Sequence, residues 1–402
     1  MRRRFPRVGQ AARELYRRVR GRIWRILGLG PHHRVVYDAN RAGERRLDKR
    51  ALLVYLPRAF LIPDDDPAFL RHSNLRCCQI MAAELGELGY IVDVVNPRHI
   101  SFRPRYDYDL VLGERRDWGR TERRFRKDAV RVFLATTMNH IVHNENIRRR
   151  HERLVARGRP PVSLRRVYSE ELPAVWASHA LVGVGNSFSL DTWRRGFAGP
   201  LYSFDNCGLR AGVLAEESRD FESARRHFLF FASGSQMQKG LDLLLEVFSR
   251  HPELDLYVCS RFESEPDFCD CYRQELFETP NIHALGWTAV ESPRFFELLR
   301  RCAFVVYPTC SEGQAGSVVH CMHSGLIPLV TRETGIDTDG FGVNFADDSL
   351  EEIERGVVEA SEQPVDWLRE RTEATRSVAR TRYTEEAFRR RWRAILEEIL
   401  PA

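Results

Sequence analysis

Apolar positions along the chain follow two rhythms. Between residues 5 and 27, Val8, Ala12, Leu15, Val19, Ile23 and Ile26 recur at spacings of three and four, with arginines on the other face. That spacing predicts an amphipathic helix with one apolar stripe and one basic side. From Ala51 onward, short apolar runs alternate with longer amphipathic ones. Ala51 to Leu56, Tyr90 to Val95, Asp109 to Leu112, Val130 to Ala135, Ala180 to Val184 and Leu201 to Phe204 read as buried strands, with helical spacing over Asn74 to Leu88 and Glu145 to Ala156. After a polar stretch from Asp205 to Ser223 the alternation resumes. Strands are predicted at Phe228 to Ala232, Leu254 to Cys259, Ile282 to Leu285, Ala303 to Tyr307 and Ile327 to Val330, and helices at Leu241 to Arg250, Ser292 to Arg300 and Gly316 to Ser324. Two helical stretches, Val365 to Arg380 and Thr384 to Leu400, close the chain without a strand between them.

Strand, helix, strand repetition implies parallel sheets. A chain of 402 residues also exceeds the size at which one hydrophobic core stops growing. The predicted fold is therefore α/β: two Rossmann-like parallel-sheet lobes facing a cleft, with C-terminal bracing helices. The expected division is a basic helix over 1–30, a first lobe over 50–205, a linker over 206–225, a second lobe over 226–364 and helices over 365–402. Ligands of such lobes sit at the carboxyl ends of the strands.

Charge adds a local feature. The formal net charge is only +6, but Arg2, Arg3, Arg4, Arg7, Arg13, Arg17, Arg18, Arg20, Arg22 and Arg25 crowd the start. Two uses of that segment stand side by side: an anionic membrane surface, where each arginine contributes roughly 1 kcal/mol, or a basic helix packed against the protein or solvated. The rest of the chain is near neutral, so nucleic acid is not an expected partner. No apolar run approaches a bilayer-spanning length, and the arginine-rich start leaves no room for a signal peptide's apolar region. The expected location is the cytoplasm, with peripheral attachment to the inner membrane face if the helix is used that way. The nine cysteines are scattered and form no paired CxxC clusters, which predicts reduced thiols and no metal site.

Two segments carry chemistry. In Phe230 to Gly240 a buried strand enters a small polar loop containing Gly234 and Ser235, then Lys239, then an apolar helix. Backbone amides, a helix dipole and an ammonium suit a diphosphate; an ordinary strand-to-helix turn with a surface lysine is the other reading. In Tyr307 to Ser317 a strand again meets a helix through small residues. Gly313 and Gly316 permit close approach to the backbone, the amides of the turn ending at Ser317 can take phosphate, and Glu312 can accept sugar hydroxyls. Asn139-His140 follows a first-lobe strand in what reads as a polar loop with His143 and Asn144. There His140 either orients a donor hydroxyl or is a plain loop histidine. Gly335, in the stretch after the Ile327 to Val330 strand, is a further candidate contact for sugar or phosphate. Gly183-Val184-Gly185 opens like a dinucleotide fingerprint, but it lacks the last glycine and the ribose-binding acid, which argues against a dehydrogenase.

The order Lys239-Gly240, then Asn281 to Gly286, then Cys302 to Gly325 resembles the C-terminal half of family 4 glycosyltransferases, which have the GT-B fold. The resemblance covers roughly residues 228 to 345; in the first half it extends only to layout and to His72-Ser73-Asn74 before a helix. It implies Lys239 at the donor diphosphate, Glu312 at the donor sugar and Asn74 beside the substrate. It also implies retaining transfer with no obligatory metal or other cofactor, from a nucleotide-diphosphate sugar to a glycan or lipid-linked acceptor in cell-surface polysaccharide synthesis. Two positions depart from the family pattern. Gly234 stands where an arginine is usual, and His320 stands where a second glutamate holds the ribose. Arg332 is a candidate for the missing positive charge, and His320, four residues after Gly316, would still face the donor on a regular helix. The departures also motivate a rival reading: a GT-B protein that binds glycans or nucleotides without catalysis.

Overall fold

The computed structural model describes residues 34–41, 47–69, 72–99, 101–114, 118–209, 212–214 and 219–401. The basic helix expected over 1–30 lies outside them.

The first sheet has the order β1-β3-β2-β4-β5-β6-β7, comprising Val35–Val36, Lys49–Val54, Tyr90–Val95, Tyr108–Gly113, Phe125–Ala135, Ala180–Val184 and Leu201–Phe204 numbered along the chain. Every pairing is parallel except that of the two-residue edge strand β1 with β3. The apolar runs are continuous because both faces are covered. In β2 the pleat sends Ala51 and Leu53 into one core and Leu52 and Val54 into the other.

The second sheet is wholly parallel, in the order β10-β9-β8-β11-β12-β13: His227–Phe231 (β8), Asp255–Cys259 (β9), Ile282–Ala284 (β10), Phe304–Tyr307 (β11), Ile327–Thr331 (β12) and Val343–Phe345 (β13). This is the doubly wound order, in which the chain turns from one side of the sheet to the other between two adjacent central strands. Those strands are β8 and β11. The short edges escape the apolar pattern for different reasons: β1 has only two residues, and in β13 the exposed Asn344 interrupts the apolar run.

Eight longer helices matter to the site: α1 (Ser73–Glu87), α2 (His140–Ala156), α3 (Leu241–Phe248), α4 (Pro293–Arg301), α5 (Gly316–His323), α6 (Leu350–Ser361), α7 (Val365–Arg382) and α8 (Glu385–Ile399). The loop expected around His140, His143 and Asn144 is instead the start of α2. The Asn139 side chain caps it, accepting the Ile141 amide at 2.9 Å, and this cap lets the helix begin five residues earlier than its apolar spacing indicates.

Two helices tie the lobes together. Ile147 and Leu154 of α2, in the first half of the chain, belong to the core of the second lobe. Conversely, Phe388, Trp392, Ile395 and Leu396 of α8 complete the core of the first lobe against α1. The closing helices thus brace the molecule as anticipated. All nine cysteines are free thiols, and all but the half-buried Cys269 are buried.

Candidate functional site

The loops after β8 and β11 flank the point where the second sheet changes direction. They open on an interlobe cleft with a cavity volume of 360 Å³. Its second-lobe wall carries Lys239, Tyr307, Glu312, Gly316, Ser317 and His320, while His72, Ser73, Asn74 and Arg166 come from the first half of the chain.

Lys239 reaches the cleft because Gly240 turns the chain sharply into α3. Gly240 has φ of 87°, and a Cβ there would lie 2.4 Å from the Pro308 carbonyl oxygen, so only glycine fits. The ammonium donates to the Tyr307 hydroxyl at 2.7 Å and to the Glu312 carboxylate, and Tyr307 donates to the same carboxylate oxygen at 3.2 Å. Burial lowers the Lys239 pKa, opposed by the charge of Glu312. For Glu312, burial pushes the carboxyl up, but Lys239 and Arg166 outweigh it and hold the group below its ordinary range. The result is an ion pair almost neutral within itself. Arg166 and the N-terminus of α5 add positive potential, which suits an anion.

Arg166 has a second unusual property. Its backbone lies in the left-handed region at φ of 56°, which costs a non-glycine residue roughly 1–2 kcal/mol. His143 holds it there. The Nε2 atom of His143 lies 2.8 Å from the Arg166 carbonyl oxygen, and its Nδ1 lies 2.8 Å from Ser311 Oγ. A carbonyl only accepts, so Nε2 carries the proton and Nδ1 accepts from the serine hydroxyl. Burial drives the His143 pKa down to about 4, which keeps this tautomer neutral.

The first turn of α5 brings Gly316 and Ser317 to the cleft, where the leading amides of a helix have no acceptor within it. Gly313 and Gly335 do different work. They are in backbone contact, since a Cβ on Gly335 would overlap the Gly313 carbonyl and one on Gly185 would lie 2.2 Å from the same oxygen. The Gly183-Val184-Gly185 motif therefore contributes a close crossing of the two lobes. Neither Gly313 nor Gly335 lines the cleft.

His320 lies in the cleft wall with 1% of its surface exposed, and its ring stacks on Phe295 at 5.7 Å. Burial lowers its pKa to about 3. Among the described residues neither ring nitrogen makes a well-formed hydrogen bond, although the Gly212 backbone lies beside Nε2 and acts on the ring as a weak acceptor would. A neutral, unsatisfied imidazole in a ligand-sized cleft is a vacant hydrogen-bonding position.

Other candidates stand elsewhere. The amides of Ser235 and Gln236 donate to the Glu265 carboxylate, itself paired with Arg165 at 3.0 Å. They are thereby occupied, and the Gly234-Ser235 turn lies outside the cleft lining, where Ala232 and Ser233 stand in its place. Arg332 stacks over Phe188 at 4.2 Å and pairs with Glu333 at 3.5 Å, away from the cleft. Among the described residues, the cleft's additional cation is Arg166. His140 stacks on Tyr168 at 4.6 Å and lines a separate cavity of 430 Å³ with Glu114 and Trp193. Arg166 gave no signal in the sequence because its segment has no periodicity. Tyr307 did carry one: a hydroxyl ending a buried apolar strand requires a polar partner.

Several solved structures share this architecture. HepE of Anabaena in complex with UDP aligns with a TM-score of 0.57 and 12% identity, over 87% of this chain and 100% of that one. WaaG, described as a glycosyltransferase involved in lipopolysaccharide biosynthesis, gives 0.52 and 12%, over 88% and 100%. A TarM variant of S. aureus, in complex with UDP, fondaparinux and an α-GlcNAc-glycerol, gives 0.50 and 13%, over 70% and 54%. The present chain spans about half the length of TarM. No family model matches the chain, and no curated protein matches it by sequence. At these identities the likeness defines the fold, which is the two-lobed GT-B arrangement of glycosyltransferases.

Proposed function

We propose that this protein is a retaining glycosyltransferase of the family 4 type, moving a hexose-type sugar from a nucleotide-diphosphate donor to a glycan or lipid-linked acceptor in cell-surface polysaccharide synthesis. The observation that carries this reading is the buried Lys239-Tyr307-Glu312 cluster beside the α5 N-terminus, at the switch point of a doubly wound sheet. An incoming diphosphate competes with Glu312 for the Lys239 ammonium. As Lys239 turns to the phosphates, joined by Arg166 and the amides of Gly316 and Ser317, the Glu312 carboxylate becomes available to donor sugar hydroxyls. Charge that develops on the departing diphosphate then meets preorganised donors, the largest single source of catalysis in such a site. His320 offers one donor and one acceptor to the ribose or base and needs no charge to do so. Asn74 and Ser73 close the site from the first lobe.

The binding-only alternative draws on the occupied amides at Ser235 and on the loss of a ribose-holding carboxylate at His320. The two readings separate on chemistry. Transfer predicts slow hydrolysis of the bound nucleotide sugar that Lys239→Ala reduces about 10²–10³-fold; binding without any donor cleavage in the presence of candidate acceptors supports the alternative. Peripheral attachment through residues 1–30 is a separate part of the proposal. Flotation with anionic liposomes should recover the full chain with the lipid and leave a form lacking residues 1–30 behind; equal behaviour of both forms counts against it.

A further inference from the structure

A second and larger cavity, of 900 Å³, adjoins the donor cleft and shares His72 and Trp287 with it. It opens beyond the carboxyl ends of β2 and β3, at Leu56, Pro57 and Asn96, next to the point where the first sheet changes direction between β2 and β4. Two kinds of group face it. One is apolar: Leu56, Leu61 and Ile62 on the first lobe oppose Trp287 on the second, and Leu61 and Trp287 are each 42% exposed. Large apolar side chains left open inside a cleft mark a surface that a ligand covers. The other kind is cationic. Arg34 and Arg58 come from the first lobe, and Arg261 comes from the second, where it lies 4.1 Å over the Trp287 ring. None of the three has a carboxylate partner among the described residues. Asp66, the single acid among the described lining residues, accepts the Ala68 amide at 2.8 Å.

From this pairing of an apolar wall with unpaired arginines on both lobes, we infer that the cavity is the acceptor subsite and that the acceptor is an anionic amphiphile. Its phosphate or diphosphate would be held between Arg58 and Arg261, and its hydrocarbon would lie along Leu56, Leu61 and Ile62. Guanidinium groups bind phosphate oxygens in a paired fashion, and the shared His72 and Trp287 bring the acceptor's sugar end to the donor cleft. The inference rests on the reading of the first cleft as a donor site. It goes further by choosing a lipid-linked acceptor over a free glycan.

The test is equilibrium binding of geranylgeranyl phosphate to the full chain, with geranylgeraniol, glucose 1-phosphate and UDP titrated separately. Geranylgeranyl phosphate should bind at least tenfold more tightly than either the uncharged alcohol or the tail-free sugar phosphate. Arg58→Gln combined with Arg261→Gln should weaken it at least tenfold, and Leu61→Asp, a change at an exposed position, should do so independently. UDP affinity should be the same in all three proteins, which also reports that they are folded. Equal affinity for glucose 1-phosphate, or full affinity in the variants, overturns the inference while leaving the donor reading intact. Loss of UDP binding by the parent protein, with the amphiphile still bound and sensitive to these substitutions, overturns the donor reading instead.

Discussion

Lys239 is one of only three lysines among 62 basic residues, and it is buried against a carboxylate and a phenol. Such a residue is legible in the sequence because the signal is local: strand, small residues, lysine and apolar helix follow one another without a gap. Glu312, Gly316, Ser317 and His320 are legible for the same reason. Arg166 and His143 are not, since the Ser311 hydroxyl that anchors His143 lies 168 residues away in sequence. At this scale Arg166→Gln should weaken nucleotide-sugar binding by about 1.5–3 kcal/mol, the worth of a hydrogen bond to a charged group. Titration calorimetry checks it; unchanged affinity places the anion elsewhere.

The two buried histidines set a pH dependence. His143 and His320 have folded-state values depressed to about 4 and about 3 by burial, against an unfolded value near 6.5. The unfolded chain therefore binds more protons below pH 6.5. The stability these groups contribute is complete above that value and is lost as pH falls toward 4, each adding a slope of up to about 1.4 kcal/mol per pH unit. Urea midpoints measured from pH 7 to 5 should fall, and His320→Phe, which preserves the stack on Phe295, should flatten the decline. An identical decline in that variant contradicts the assignment.

Among the elements, α2 departs furthest from its sequence reading, and its arginines explain why it lies where it does. Arg150 is fully buried, donating to the Pro308 carbonyl at 2.9 Å and pairing with Asp242 at 3.3 Å and Asp348 at 3.0 Å. Arg157 adds Asp242 and Glu246, both at 3.0 Å. These arginines explain how every residue of α3 is buried even though the helix contains Asp242 and Glu246. Apolar periodicity detects neither partner, because charges are its blank positions. Arg150→Ala should cost roughly 3–5 kcal/mol, as expected when one member of a buried pair is removed. A denaturation midpoint close to that of the parent protein would show that the pair is dispensable.

For the whole molecule, the alternation of apolar runs is sufficient to foresee two parallel-sheet lobes, whereas strand order and the exchange of helices between the lobes come from packing that no single segment records. That exchange has a thermodynamic consequence. With α2 in one core and α8 in the other, neither lobe retains a complete core alone, so calorimetry should show one unfolding transition; two well-separated transitions contradict the shared packing. The most direct test of the central claim is isothermal titration of the full chain with common nucleotide-diphosphate sugars. Saturable binding of at least one is predicted, lost in Lys239→Ala. Absence of binding to every such donor, or undiminished binding in Lys239→Ala, contradicts the assignment of the Lys239-Tyr307-Glu312 cleft as the donor site.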